Sequence, residues 1–425
     1  MSLEVLYKYL YGSRKKVAGY LIVYVISLVM SFLSDSSVLD GSQTLWEKMT
    51  DFSNSAVVIL ALLLGLSILY YLALFIAKEY SRKQNLTAAF TGIMKAHTSE
   101  FAQTAIVGGM YWGENRTLWM APNMLLGMDP KSVVVSNYDD DPYVFDENLK
   151  ESFDAFEKTK YLKDIQKVGN DLPRYMLTRF GPNFNKEKPL LTLQLKKTFW
   201  RHCQFVWNRF VEEEDAEAKR ILWHESIIGE HLKNNLRVVN YPNSLCLHLV
   251  IETSDGGVLI TEISKQKKND YPSTKAASLG EQIELSDFVD YHDFQQDVVS
   301  EWTKRAVCEE FGINAAQYEE EFIPTSLRVL SLDFEMDIYN FALVCTIKMR
   351  NSCEQFRNVV NSTIEQKEIS DMFQIPLENI PGILMKYPDN NKEYHPSTYL
   401  RLLLFYLYKN GYRRTCERFC RLARS

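Results

Sequence analysis

The sequence predicts an α+β protein in which two N-terminal transmembrane helices precede a cytoplasmic α/β/α domain with a mixed sheet. Two apolar runs near the N-terminus contain no charged residue. The chain of 425 residues, 46% hydrophobic and 24% charged, is long enough for an anchor and a folded body. In the C-terminal half, strand-like runs surround one strongly helical segment. These three observations define the fold class.

The two apolar runs cover residues 17–34 and 55–77. A bilayer core needs about 20 apolar residues in a helix, so each run approaches the length of a membrane span. The first run follows Arg14, Lys15 and Lys16, a pattern that also fits a signal peptide. No small-residue cleavage site follows it, however, and the second run comes soon afterwards. Because basic residues flank the pair and acidic residues dominate the loop between them, we expect both termini to be cytoplasmic.

The chain divides into three predicted regions. Residues 1–83 form the membrane segment, residues 84–189 form a connecting region, and residues 190–425 form the main folded domain. The formal net charge of -6 argues against binding of a nucleic-acid duplex through phosphate neutralisation. Seven cysteines are present without a CxxC pair, which favours reduced thiols over a disulfide framework.

The main domain begins with an aromatic run at residues 190–210, which alternates as strands do. Phe199, Trp200, Phe205 and Trp207 could stack on a base while Arg201 or Lys197 binds a phosphate. Core packing on one face of a strand explains the same alternation equally well. Further along, Ser254–Gly257 lies between two apolar runs and predicts a β-hairpin. Additional predicted elements are strands at residues 326–333, 340–349 and 370–375 and a helix at residues 395–410.

Residues 297–313, DVVSEWTKRAVCEEFGI, resemble the signature of Nudix hydrolases, G-x5-E-x7-R-E-U-x-E-E-x-G-U, in which U is a bulky aliphatic residue. The matching positions are Arg305, Val307, Glu309, Glu310, Gly312 and Ile313. On a helix, Arg305 and Glu309 lie one turn apart, and Gly312 is suited to ending that helix. The order of elements around this segment favours a Nudix-like fold over an unrelated α+β domain.

Three positions depart from the Nudix signature. Tyr291 occupies the position of the first glycine, and Asp297 replaces a glutamate. Ala306 stands where the family has a metal-binding glutamate. Loss of that carboxylate weakens both metal binding and the activation of water. The segment therefore predicts a domain that keeps the Nudix shape with an impaired hydrolytic centre.

Two spans joined to such a domain are similar to the transmembrane–Nudix effectors of CBASS, the bacterial cyclic-oligonucleotide-based antiphage signalling system. The resemblance implies a receptor in place of an enzyme. It would bind a cyclic di- or trinucleotide made by a cGAS/DncV-like nucleotidyltransferase and then form a homo-oligomer. Assembly would disrupt the lipid bilayer of the bacterial inner membrane and cause abortive infection.

For this receptor we expect the ligand to contact seven residues, which are Trp200, Arg201, Lys265, Lys267, Arg305, Glu309 and Glu310. The alternative is a membrane-anchored, magnesium-dependent Nudix hydrolase of nucleoside diphosphate derivatives, in which Glu309 and Glu310 bind the metal. A third hypothesis is a scaffold whose Nudix-like domain binds only protein.

Overall fold

The computed structural model describes thirteen segments of the chain. These are residues 45–98, 110–113, 115–121, 127–158, 173–183, 190–211, 232–233, 236–263, 273–288, 297–336, 338–361, 369–387 and 393–425. The chain divides into two compact units, Met1–Ala89 and Phe90–Ser425.

The second apolar run forms part of a single 52-residue helix, α1 (Leu45–Ala96). Within the described segments, no helix combines the length and the apolar character that a membrane crossing requires. The prediction of two N-terminal transmembrane helices is therefore wrong, as is the prediction of an inner-membrane protein with both termini cytoplasmic. The charge-free run is one section of a helix that continues through Lys78, Glu79, Arg82 and Lys83, so the apolar stretch does not form a separate helix. The first run, residues 17–34, lies outside the described residues.

Nine described strands form a mixed sheet in the unit Phe90–Ser425. They are β1 (Tyr111–Trp112), β2 (Asn115–Met120), β8 (Leu245–Glu252), β9 (Val258–Ile263), β10 (Lys275–Ala277), β11 (Leu279–Gln282), β12 (Phe322–Glu335), β13 (Asn340–Met349) and β14 (Ile369–Ile375). The main path runs β1-β2-β12-β13-β8-β9-β10, while β11 pairs with β8 and β14 pairs with β9. Strands β13 and β8 run parallel, and the other pairs are antiparallel. The predicted α+β class with a mixed sheet is confirmed.

A second sheet of five strands has the order β3-β5-β4-β7-β6. Its strands are β3 (Val133–Asp139), β4 (Pro173–Asn183), β5 (Leu190–Phe199), β6 (Leu232–Lys233) and β7 (Leu236–Val238). Strands β3 and β4 precede residue 189, whereas β5, β6 and β7 follow it. Within this sheet, β3 and β5 are parallel neighbours. The aromatic run is a strand only as far as Phe199, and it continues as helix α3 (Trp200–Val211). His202, Cys203, Phe205 and Val206 of that helix are buried, a spacing that fits one helical face.

The remaining helices cover the sheets and close the core. They are α2 (Glu147–Phe156), α4 (Val298–Phe311), α5 (Ala315–Glu321), α6 (Cys353–Asn361), α7 (Ile380–Met385) and α8 (Pro396–Leu422). Helix α4 contains the Nudix-like segment and begins where the Asp297 carboxylate caps the backbone N–H of Ser300. It ends at Gly312, whose φ of 64° is the left-handed conformation that glycine adopts without strain. The predicted hairpin, the strand β13 and the last helix are likewise confirmed.

Candidate functional site

A cavity of about 400 Å³ lies within the unit Phe90–Ser425. Its walls come from helices α3, α4 and α8 and from strands of the nine-stranded sheet. The aromatic, titratable and amide side chains that line it include Trp200, Trp207, Cys246, His248, Gln282, Glu310, Glu335, Asn340, His395 and Arg401. This volume falls within the range of known small-molecule sites, roughly 300–1,000 Å³.

Strand β8 supplies the floor of the cavity. Cys246 and His248 line it, because alternate residues of a strand point to the same face, and Ser244, which immediately precedes the strand, lines it as well. Burial lowers the pKa of His248 well below the ordinary value, with help from the charges of Arg401 and His395. His248 is therefore neutral at pH 7, and its Nε2 lies 3.6 Å from Glu335 Oε2.

Glu335 and Asn340 lie on either side of the β12–β13 turn and meet in the cavity wall. The Asn340 amide nitrogen donates to Glu335 Oε2 at 2.9 Å and to Cys246 Sγ at 3.2 Å. These two bonds fix which end of the amide is nitrogen, so the assignment of the oxygen follows from the contacts. Burial raises the pKa of Cys246 to about 11, which keeps this neighbour a neutral thiol.

Arg401 of helix α8 places a guanidinium group in the cavity wall. Its Nη1 donates to the carbonyl oxygens of Ala277 and Leu279 at 3.3 and 3.2 Å, and its Nη2 donates to Ser397 Oγ at 2.6 Å. Burial lowers the pKa of Arg401 to about 10, against the opposing attraction of Glu335. The guanidinium therefore remains charged at neutral pH and is held in one orientation.

Four buried polar atoms on cavity-lining residues have no hydrogen-bond partner among the described residues. They are Trp207 Nε1, Gln282 Oε1, Asn340 Oδ1 and Arg401 Nε. Buried polar groups in folded proteins are nearly always hydrogen-bonded, and each one left unsatisfied costs about 1–3 kcal/mol. Two donors and two acceptors around one cavity therefore point to a polar ligand.

Helix α4 is tied to the cavity through Gln282. Trp302 Nε1 and Arg305 Nη2 donate to the Gln282 carbonyl at 3.2 and 2.6 Å. Arg305 also forms a two-point ion pair with the buried Asp287, with both distances at 2.8 Å. Burial acts to lower the pKa of Arg305, but the bonds to Asp287 outweigh it and raise that pKa above its ordinary value. The Nudix-like helix thus positions strand β11, which carries Gln282 into the cavity.

The structure brings two of the predicted ligand-binding residues together, since Trp200 and Glu310 both line the cavity. Arg305 and Glu309 instead bond to each other at 2.7 Å on the outer side of α4. Arg201 lies 3.5 Å from the Glu157 carboxylate, with its guanidinium 4.8 Å from the centre of the Phe199 ring. The predicted contacts Lys265 and Lys267 lie outside the described residues.

The described residues of α4 do not fit the magnesium site that the alternative hypothesis requires. Ala306 is completely buried in the core, and Glu309 is engaged by Arg305. In the described segments, no group of three or more His, Cys, Asp or Glu side chains is placed to hold a metal ion.

Sequence reasoning missed His248, Asn340 and Arg401. One signal for Arg401 is present, because it is the sole charged residue in the apolar run STYLRLLLFYLY, residues 397–408. A charged residue in such a helix is nearly always paired or functional when buried. Asn340 carries no comparable signal, since its neighbour Cys246 is 94 residues away in sequence.

Comparison with known proteins identifies no family for this chain. No family model matches it, and no curated protein matches it. Among solved structures, it is similar to DR0079 from Deinococcus radiodurans, with 13% sequence identity and a TM-score of 0.26. That match covers 38% of this chain and 83% of the other.

Proposed function

We propose that this protein is a receptor whose cavity binds the base of a nucleotide. The observation that supports the proposal is the set of four unpartnered polar atoms beside two tryptophans in one cavity. A nucleobase is planar, so it stacks on aromatic rings, and it carries donors and acceptors at its edge. Stacking on an aromatic side chain contributes about 1–3 kcal/mol per base.

The charges of the cavity favour a base over a phosphate group. Glu310 and Glu335 line the interior, and Arg401 uses its terminal nitrogens on protein oxygens. A phosphate placed among these carboxylates would be repelled, and the repulsion is stronger in a buried site than in water. In this proposal the base enters the cavity while the sugar–phosphate part of the ligand stays at the mouth.

As the messenger, we propose a cyclic di- or trinucleotide made by a cGAS/DncV-like nucleotidyltransferase in antiphage defence. This part of the proposal rests on the resemblance of residues 297–313 to the Nudix hydrolase signature. The likeness to CBASS effectors also drew on two membrane spans, which the described residues do not contain. Occupancy of the cavity would favour one arrangement of the domain by differential affinity and promote assembly into a homo-oligomer, leading to abortive infection.

Binding without hydrolysis is supported by the environment of α4. Ala306 stands at the position of a metal-binding glutamate, and its side chain is buried in the core and does not line the cavity. The competing hydrolase requires two or more free carboxylates on that helix, whereas Glu309 already pairs with Arg305. The observation in favour of the hydrolase is that Glu310 and Glu335 share the cavity.

Calorimetric titration of the full chain with cyclic di- and trinucleotides tests the receptor. We expect binding that falls at least about tenfold in Trp200→Ala and Trp207→Ala, because each substitution removes a stacking surface. Trp119→Ala is the matched control, since Trp119 is a half-buried tryptophan that does not line the cavity. Light scattering on the same samples should show a larger particle when ligand is bound.

Two results would decide against the receptor. If cyclic and linear nucleotides all fail to bind, the cavity is not a nucleotide site. If the full chain with magnesium converts a nucleoside diphosphate derivative to products, and Glu310→Gln abolishes that turnover, the hydrolase is correct.

A further inference from the structure

We propose that the cavity selects guanine over the other common bases, an inference that rests on the proposed nucleotide-binding function. Selection among bases depends on which hydrogen-bonding atoms are fixed in place and which remain free for the ligand. In this cavity, Asn340 and Arg401 each keep one buried polar atom without a partner among the described residues, while their other polar atoms are held by the protein.

Asn340 is a fixed acceptor. Its nitrogen is held by Glu335 and Cys246, so the amide cannot rotate to exchange its two ends without losing both bonds. Oδ1 has no hydrogen-bond partner among the described residues, and the residue is 8% exposed. A ligand N–H group would satisfy this oxygen, whereas a ligand ring nitrogen with a lone pair would be repelled by it.

Arg401 and Trp207 are fixed donors. The terminal nitrogens of Arg401 are bonded to Ala277, Leu279 and Ser397, which leaves Nε without a partner in the described part of the chain. Trp207 Nε1 is a donor only, and it too has no partner there. Arginine donors are the usual partners of guanine O6 and N7 in nucleic-acid recognition, which sets a precedent for this pairing.

Among the described residues, the unpartnered acceptor Asn340 Oδ1 lies in the same cavity as the unpartnered donors Arg401 Nε and Trp207 Nε1. Glu310 and Glu335 line the same cavity as the Asn340 and Gln282 oxygens. Guanine presents an N1–H and an N2 amino group on one edge, and O6 and N7 as acceptors on another. Adenine presents one amino group and has a lone pair at N1, where guanine carries an N–H, so it offers one donor group fewer to the buried acceptor. The cavity therefore complements guanine best.

Calorimetric titration of the full chain with GMP, IMP, AMP and CMP tests this inference. We expect GMP to bind most tightly, IMP to bind roughly tenfold more weakly because it lacks the N2 amino group, and AMP and CMP to bind more weakly still. A site that hydrogen-bonds a ligand discriminates strongly against analogues that leave its buried groups unpaired.

Two variants assign the selectivity to named atoms. Asn340→Ala should weaken GMP binding roughly tenfold and reduce the preference for GMP over AMP, since the buried acceptor that pairs with the guanine N–H groups is removed. Trp207→Phe keeps an aromatic ring at this position and removes the N–H, so it should also reduce the preference for GMP even if Asn340→Ala fails to fold. Asn351→Ala is the control, because Asn351 bonds to Glu321 outside the cavity.

The outcomes separate this inference from the proposed function. Equal affinity for the four nucleotides, or a preference for AMP, would overturn guanine selection while leaving nucleotide binding intact. Unchanged GMP binding in both variants would also overturn it. Failure of every nucleotide, cyclic messengers included, would overturn the proposed function and this inference together.

Discussion

Ala306 is the residue of α4 that departs furthest from the Nudix signature that residues 297–313 resemble. Its side chain has no exposed surface and belongs to the same core as Trp302 and Val307. A carboxylate at this position would be charged, buried and without a partner from the described core. The alanine is therefore suited to packing α4 against the sheet, and its substitution by glutamate tests this interpretation.

We expect Ala306→Glu to destabilise the protein by about 3–5 kcal/mol, the usual cost of an uncompensated buried charge. Urea unfolding followed by tryptophan fluorescence measures the change. Ala315→Glu is the control, because Ala315 is exposed in the first turn of α5, where an acidic residue is tolerated or stabilising. A stable Ala306→Glu protein with magnesium-dependent nucleotide turnover would contradict the receptor interpretation.

His248 makes the stability of the protein sensitive to acid. Its folded-state pKa lies well below 6.5 because of burial, so the unfolded chain takes up the proton first. The stability contributed by the neutral His248 is therefore fully present above pH 6.5. Below that pH the free energy of unfolding decreases, by up to about 1.4 kcal/mol per pH unit for one histidine. His395, whose pKa burial lowers to about 3, adds to the same trend.

We expect His248→Gln to lose less stability than the native protein between pH 6.5 and pH 4.5, because one proton-uptake site is removed while His395 remains. Urea unfolding at several pH values gives the slope. The same comparison at pH 8, where both histidines are neutral in either state, isolates the packing cost of the substitution. Parallel slopes for the two proteins would show that His248 is not the buried base inferred here.

At the scale of elements, the ion pair between Arg305 and Asp287 fastens α4 to the turn that follows β11. Asp287 is 2% exposed, and Arg305 reaches it with two hydrogen bonds of 2.8 Å. The same guanidinium holds the Gln282 carbonyl at 2.6 Å. Arg305, which matches the arginine of the Nudix signature, thus positions the part of the cavity wall that Gln282 forms.

We expect Arg305→Met to cost about 3–5 kcal/mol of stability, because it leaves the Asp287 carboxylate buried and unpaired. Nucleotide affinity should also fall when Gln282 loses its support. Lys304→Met is the control: Lys304 pairs with Glu319 at 3.4 Å on the exposed side of α4, and such pairs contribute about 0–1 kcal/mol. If the two variants have equal stability, Arg305 does not fasten the helix as described.

Local elements were predictable where the chain carries its own signal. The hairpin at Ser254–Gly257 and the helix ending at Gly312 follow from turn and capping residues within a few positions. The run after Phe199 was predicted as strand because aromatic residues suit strands, but tertiary burial of Phe205 and Val206 makes it helical. Likewise, the absence of charged residues in residues 55–77 does not predict the length of α1, which extends beyond this run at both ends.

The candidate site was predictable only in part, for a reason of topology. Trp200 and Glu310 were selected from local patterns, and both line the cavity. Asn340 reaches Cys246 because β13 lies parallel to β8, a pairing between strands that are distant in sequence. Arg401 arrives from α8 by the same long-range packing. Such convergence is set by the whole fold and is not encoded in any short segment.

At the scale of the whole molecule, the cavity belongs to one of the two compact units. Every residue that lines it falls within Phe90–Ser425. Phe90 is itself buried and packs edge-to-face on Tyr412 and Phe419 of α8, so a chain that begins there keeps this contact. Ligand recognition should therefore be separable from residues 1–89.

We expect a protein comprising residues 90–425 to fold and to bind the same nucleotide with an affinity within about threefold of the full chain, since no binding contact is removed. Calorimetric titration of both proteins with one ligand stock measures this, and circular dichroism confirms that the shorter chain is folded. Trp200→Ala in the shorter chain is the control and should weaken binding as it does in the full chain. If residues 90–425 are folded but bind no nucleotide, residues 1–89 contribute to recognition, and the cavity alone does not explain it.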